Sequence, residues 1–256
     1  MNPQLRAKIE KIVGEIRKVN LMDEQGCTSE VHQIQTGDGS YLVKSSFNRR
    51  YREWLKVEAG VLEKLNNQTH IAVPQFYGFI ESTDSSHLIM SFENGISLTS
   101  AIKKAENTQE KTSLIRSFGY LLSQLHETKT TESLNHQSDW LDQQLIIAHR
   151  YVESGETEGS VKLLEKLQSN KPLPVQQTMI HGDCTTDNVF VVDGKVRLFI
   201  DLSGMTVGDP RYDESLAISD FFNNDEYKKA FYEGYKRYKV SKEEYRYFAE
   251  GLYEFF

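Results

Sequence analysis

Apolar residues recur at Leu5, Ile9, Ile12, Val13, Ile16 and Val19, the spacing of one helix face, so the pattern predicts a helix over residues 4–19. Two β-type runs, EVHQIQT and SYLVKSS, flank Gly37-Asp38-Gly39 and read as a hairpin. REWLKVEAGVLEKL returns to helical spacing, with Leu55, Ala59, Leu62 and Leu65 on one face. QFYGFIE and HLIMSF, separated by STDSS, read as a second antiparallel pair. The texture changes after Asn94-Gly95. Ser97 caps a helix running to about Ala105, and 110–126 and 139–153 are long helical patterns. KPLP at 171–174 is a break, followed by the hairpin NVFVV-DG-KVRLFID. Helical patterns then cover 213–222, 225–238 and 241–254, the last opened by a Ser241/Glu244 capping box. The expectation is an α+β chain of two lobes: 1–93, a small antiparallel sheet with one long helix, and 94–256, larger and mostly helical, with a hinge near 91–96.

With 256 residues, 38% hydrophobic and 11% aromatic, the chain is long and apolar enough for a globular core. There is no apolar run long enough to span a membrane. The amphipathic N-terminus lacks the apolar core of a signal peptide, so the expected location is cytoplasmic, with no membrane partner. A net charge of -7 speaks against nucleic acid and permits a cationic substrate. The two cysteines, Cys27 and Cys184, show no metal spacing and read as reduced thiols in loops beside the candidate site.

The candidate chemistry lies in HGDCTTDNVF, His181 to Phe190. Asp183 enters a hairpin, Asn188 follows five positions later, and Asp201 ends the hairpin's second strand. The hairpin folds Asp201 back beside Asn188, so the two can share a hard cation such as Mg²⁺. Asp183 would then accept the proton of an attacking hydroxyl, the arrangement phosphoryl transfer uses. Lys44 sits within the apolar strand YLVKS, where an ammonium needs a partner; Glu58 on the next helix can supply it. So held, Lys44 would grip the α- and β-phosphates of a nucleotide, and the Gly26–Ser29 turn, with Thr28 and Ser29, would cover them. An ordinary surface ion pair is the other reading of Lys44 and Glu58.

The order of lysine, glutamate, Asn-Gly run, HGDxxxxN and a second metal acid resembles the aminoglycoside phosphotransferase family, whose fold is similar to that of protein kinases. The resemblance covers nearly the whole chain and includes Asp209-Pro210-Arg211-Tyr212-Asp213. It implies ATP and Mg²⁺ as cofactors, Asp183 as the base, Asn188 and Asp201 as metal ligands, and Lys44 with Glu58 at the phosphates. It also implies adenine contacts from backbone groups of Ser91 and Glu93, with Met90 beside the ring or simply in the core. GTP is left open beside ATP, because hinge selection works through backbone geometry. His181 and Asp213 would brace the catalytic loop.

NVFVVDGKVRLFIDL, LIMSFENG and GLYEFF resemble the 3'-phosphotransferases, which nominates Glu254 and the carboxylate of Phe256 for a cationic substrate; Glu153 and Glu156, beside Glu158, would add to them. The alternatives are a solvated acidic loop and a last helix docked through Tyr245, Phe248, Leu252 and Phe255. Ser203-Gly204 stands where those enzymes carry Gly-Arg, and Leu42 stands where they carry an adenine-stacking aromatic. The expected function is therefore a small-molecule O-phosphotransferase, with an aminoglycoside-like acceptor preferred over another antibiotic or a hydroxylated metabolite. A nucleotide-binding pseudokinase is the rival of another class; a protein kinase is disfavoured by HGD and by the lack of a long activation segment after Asp201.

Overall fold

The computed structural model describes residues 1–23, 25–66, 71–128 and 139–256. The chain divides into two compact units, Met1–Gly95 with Phe199–Ser203, and Ile96–Leu198 with Gly204–Phe256.

In the first unit, α1 spans Pro3–Val13, capped by Asn2. It is shorter than the 4–19 pattern predicts. Gly14 leaves helical geometry at φ 85°, and Val19 lies instead in β1, Lys18–Leu21, the first strand of the sheet. The apolar spacing carries across this break because Ile9, Val13 and Ile16 all bury into the same cluster, with Val19 packed against it. β2 (Glu30–Gln35) and β3 (Ser40–Ser46) form the predicted hairpin; β4 (Phe76–Glu81) and β5 (Ser86–Ser91) form the second pair. All neighbours are antiparallel in the order β1-β2-β3-β5-β4, which makes β3 the central strand. The helix α2, Arg49–Leu65, is capped by Asn48 and buries Leu55, Glu58, Ala59, Leu62 and Leu65.

In the second unit, β6 (Gly95–Ser97) leads into α3, Leu98–Lys104, capped by Ser97 as predicted. α4 is Thr108–Glu127 and α5 is Trp140–Ser154. The sequence reading passed over α6, Val161–Ser169, and β7, Thr178–Ile180. β8 (Val189–Val192) and β9 (Lys195–Phe199) are the predicted hairpin, and they form a sheet in the order β6-β8-β9. Its tight turn puts Asp193 and Gly194 at positive φ, as an Asp-Gly turn requires. β10, Thr206–Gly208, pairs back onto β7.

The last helices are shorter than predicted: α7 is Pro210–Ala217, α8 is Asp225–Gly234 and α9 is Lys242–Phe248. The 241–254 pattern splits because the chain breaks at Ala249–Gly251 and resumes as a 3-10 turn, Leu252–Phe255. Both pieces still bury their apolar residues in one cluster with Trp140, Leu145 and Leu167. The capping box of Ser241 and Glu244 forms. α4 and α8 pack with backbones nearly touching: a Cβ on Gly234 would lie 2.0 Å from the Arg116 carbonyl, and one on Gly119 would lie 2.2 Å from that of Phe231. No helix of the described residues is long and apolar enough to cross a membrane.

One buried acid makes the second unit sensitive to pH. Glu214 of α7 accepts the Tyr232 hydroxyl at 2.8 Å and the Val240 amide at 2.7 Å through Oε1, while Oε2 has no partner among the described residues. Burial pushes its carboxyl up to about 8. The folded state therefore holds a proton that the unfolded chain has released, so stability is greatest below the ordinary value of 4.5 and falls as pH rises from there through about 8. The expected loss is on the order of 2–4 kcal/mol across that window. Melting temperatures from pH 5 to 9 should show it, and Glu214→Gln should flatten the slope; an equal slope in the variant would assign it elsewhere.

Candidate active site

The first unit presents a lysine from the middle of its sheet. Lys44 lies on β3 with its ammonium 2.9 Å from Glu58 Oε2, and it also donates to Asp201 Oδ1. Lys44 and Glu58 are both shielded from solvent, so the reading as an exposed surface pair is excluded. A lysine left without its carboxylates there would cost about 3–5 kcal/mol. Asp201 itself has φ 59°, a left-handed conformation that Asp tolerates better than most residues and that concentrates at functional sites. The turn ahead of β2 is tied to the same face: the Ser29 and Ser46 hydroxyls are 2.6 Å apart, the Ser46 hydroxyl donates to the Thr28 carbonyl at 3.1 Å, and Ser46 is two residues from Lys44.

At the edge of this unit the Ser91 N–H donates to the Gln75 carbonyl at 2.9 Å, and the Glu93 carbonyl accepts from Gly95. The Glu93 carboxylate is held by the Ser91 hydroxyl at 2.7 Å. Met90 is buried in β5, opposite Leu42.

The second unit builds the loop around Asp183. β7 delivers His181 and Gly182, and Asp213 of α7 takes both of their amides, at 2.6 and 2.8 Å. The same carboxylate accepts His126 Nε2 at 3.2 Å, and the other ring nitrogen of His126 meets the Tyr235 hydroxyl at 2.8 Å. The Asp183 amide donates to His181 Nδ1 at 3.2 Å. Gly182 sits at φ 82°, and a Cβ there would lie 2.2 Å from the Gly204 carbonyl. Gly204, part of the Ser203-Gly204 departure from the 3' enzymes, thus has a backbone role in this chain: the loop at residues 181–183 rests on it.

The Asp183 carboxylate has two partners. Asn188 Nδ2 donates to Oδ2 at 2.7 Å and to the Asp183 carbonyl at 2.9 Å. The Tyr253 hydroxyl donates to Oδ1 at 3.0 Å. The Asn188 amide nitrogen is thereby committed, leaving its oxygen for other use. Next in the loop, Cys184 is fully buried, and burial pushes its thiol well above the ordinary range, so it is an inert core residue rather than a reactive one; Cys27 is exposed. Thr186 is anchored by the Thr99 hydroxyl at 2.6 Å and by Asp220.

The acidic residues nominated for a cationic substrate lie around the end of α5. The Thr157 hydroxyl donates to the Glu254 carbonyl at 3.0 Å, and the Phe256 and Tyr151 rings are 5.9 Å apart. Glu153 faces His149 at 3.5 Å on a surface cleft of about 600 Å³ that Asp142 also lines. Glu156 accepts the Ser154 hydroxyl at 3.1 Å.

Sequence reading missed His126 and Tyr253. His126 could have been found, being a polar residue within the buried stripe Leu121, Leu122 and Leu125 of α4. Tyr253 could not, since its partner lies 70 positions away.

A search of curated proteins found no match. Solved structures share the fold at low identity. An aminoglycoside-3'-phosphotransferase of type VIII superposes with a TM-score of 0.76 at 19% identity, covering 93% of each chain. A spectinomycin phosphotransferase, solved in complex with ADP and spectinomycin, gives 0.65 at 16% identity, over 96% of this chain and 82% of its own. A macrolide 2'-phosphotransferase from Brachybacterium faecium gives 0.59 at 17%, over 96% and 86%. These likenesses establish the α+β, kinase-like architecture. The sequence itself carries the stronger statement, because residues 23–249, which include Lys44, Asp183 and Asp213, match one family model, and the chain belongs to the phosphotransferase enzyme family.

Proposed function

We propose that this protein transfers the γ-phosphoryl group of ATP to a hydroxyl of a small, cationic, aminoglycoside-like molecule. The observation that carries this reading is the Asp183 carboxylate, held by Asn188 and Tyr253 on a loop whose amides are pinned by Asp213. A fixed carboxylate of this kind orients an acceptor hydroxyl and takes its proton as the bond to phosphorus forms. Lys44, braced by Glu58, is a cation suited to the α- and β-phosphates. Ser91 and Glu93 offer a carbonyl and an amide for adenine, with Thr28 and Ser29 over the phosphates. The nucleotide domain of this reading is 1–93 and the acceptor domain 94–256.

The residues present fit Mg²⁺. Asn188 has its side-chain oxygen to give, and Asp201 offers a carboxylate, both hard donors; Mg²⁺ takes few protein ligands beside phosphate oxygens. When bound, the ion would neutralise charge developing on the phosphates. Glu153, Glu156 and Glu254 are the carboxylates proposed to attract an ammonium-bearing acceptor.

The test is ADP release from Mg-ATP against a panel of aminoglycosides, macrolides, spectinomycin and small hydroxylated metabolites. Turnover on an aminoglycoside is expected. Turnover on metabolites alone would overturn the acceptor class, and nucleotide binding with no turnover on any compound would overturn the transfer reading. In the same assay Asp201→Ala should weaken Mg²⁺-dependent nucleotide affinity at least about tenfold; unchanged affinity in a Mg²⁺ titration would remove Asp201 from the metal.

A further inference from the structure

The Asp183 carboxylate already carries a hydroxyl that belongs to the protein. Tyr253 donates to its Oδ1 at 3.0 Å, the hydrogen bond that an acceptor hydroxyl would make on its way to transfer. Resting on the reading of Asp183 as the proton acceptor, we propose that Tyr253 is a positioning residue that holds this carboxylate and keeps water off Oδ1 until an acceptor hydroxyl binds.

The problem it answers is general to this chemistry. A carboxylate able to take a proton from an alcohol can take one from water. Water oxygen would then bond to the γ-phosphorus, the β–γ bridging P–O bond would break, and ADP and phosphate would leave as the proton passed to Asp183 and on to solvent. Excluding water from the reacting atoms prevents this side reaction. A half-buried carboxylate oxygen without a protein partner recruits water; here a tethered hydroxyl stands in that place.

The tether is rigid. Tyr253 belongs to the 3-10 turn Leu252–Phe255, whose Leu252 and Phe255 are buried in the core of the second unit. Its ring packs against that core with its centroid 6.4 Å from that of Tyr212. The Glu254 carbonyl is fixed to Thr157, and a Cβ on Gly159 would lie only 2.4 Å from the Phe255 ring, so the turn is clamped on both sides. Burial and the Asp183 charge push the phenol up, so it stays protonated and remains a donor throughout the neutral range. An arriving acceptor hydroxyl takes the place of the Tyr253 hydroxyl on Oδ1, whose O–H turns away, while Asn188 stays on Oδ2 and keeps the carboxylate oriented.

Tyr253→Phe removes one oxygen and keeps the ring and its contacts. The experiment is ADP release from Mg-ATP by the full chain with no acceptor present, for the wild type, Tyr253→Phe, Asp183→Asn and the double variant. Tyr253→Phe should raise the acceptor-free rate roughly ten- to a hundredfold, the worth of one hydrogen bond to a charged group, and the double variant should return it to the basal level. A merely structural role would lower rates and could not produce this gain. An acceptor-free rate at or below wild type in Tyr253→Phe overturns the proposal. So does a gain that survives Asp183→Asn, and so does phosphate found on Tyr253 by mass spectrometry after incubation with Mg-ATP. If Asp183→Asn transfers to the panel's acceptor at the wild-type rate, the underlying reading of Asp183 fails; if it does not transfer and Tyr253→Phe stays quiet, that reading survives and only the role of Tyr253 falls.

Discussion

Replacing Asp183 with alanine is expected to lower phosphoryl transfer by roughly 10²–10⁴-fold, the usual contribution of a positioned proton acceptor. The fold should survive. The carboxylate's partners are the Asn188 amide, which keeps its bond to the Asp183 carbonyl, and the half-buried Tyr253 hydroxyl, which can turn to water. The stability change should thus stay near 1 kcal/mol. The nucleotide KM should hold, because the assignment gives Asp183 no contact with the nucleotide. Steady-state ADP release with a working acceptor measures both constants, and a kcat within a factor of two of wild type would take Asp183 out of the chemistry.

The second large effect belongs to Asp213, which touches no reacting group in this reading. Its buried carboxylate accepts from the amides of His181 and Gly182 and from His126 Nε2. Asp213→Ala leaves these donors without a partner, a cost of about 3–5 kcal/mol. For a chain of this size that corresponds to a fall of about 10 °C in Tm. Activity should drop as well, since the loop that carries Asp183 loses its anchor. Thermal melting beside ADP release checks both; lost activity with an unchanged Tm would place Asp213 in the chemistry itself rather than beneath the loop.

The site was legible in the sequence to the extent that its residues lie close along the chain or recur in a known order. His181, Asp183 and Asn188 share eight positions, and Asp201 follows one hairpin later, so local geometry alone suggests a shared task. Lys44 and Glu58 were legible for a different reason: a lysine in an apolar strand demands a counter-charge, and Glu58 lies one element away. The helix boundaries were less legible. Periodicity registers burial, and burial continued past Gly14 and past Phe248 although the helices did not, because strand and turn residues entered the same apolar clusters.

By itself the sequence determined most of the element types, the α+β class, the Asp-Gly hairpin, the helix caps at Ser97 and Ser241, and the residues proposed to bear the chemistry. These follow from local spacing, turn stereochemistry and the cost of burying charge, all properties of short stretches. Only the tertiary structure decided which groups touch across long separations. It brought Asp213 under the loop at residues 181–183, set Gly182 against Gly204, seated His126 beside Tyr235, and placed the Tyr253 hydroxyl on Asp183. Contacts between residues 20 to 110 positions apart depend on how helices and strands pack, and packing arises from the summed shape of many side chains, which no short stretch encodes.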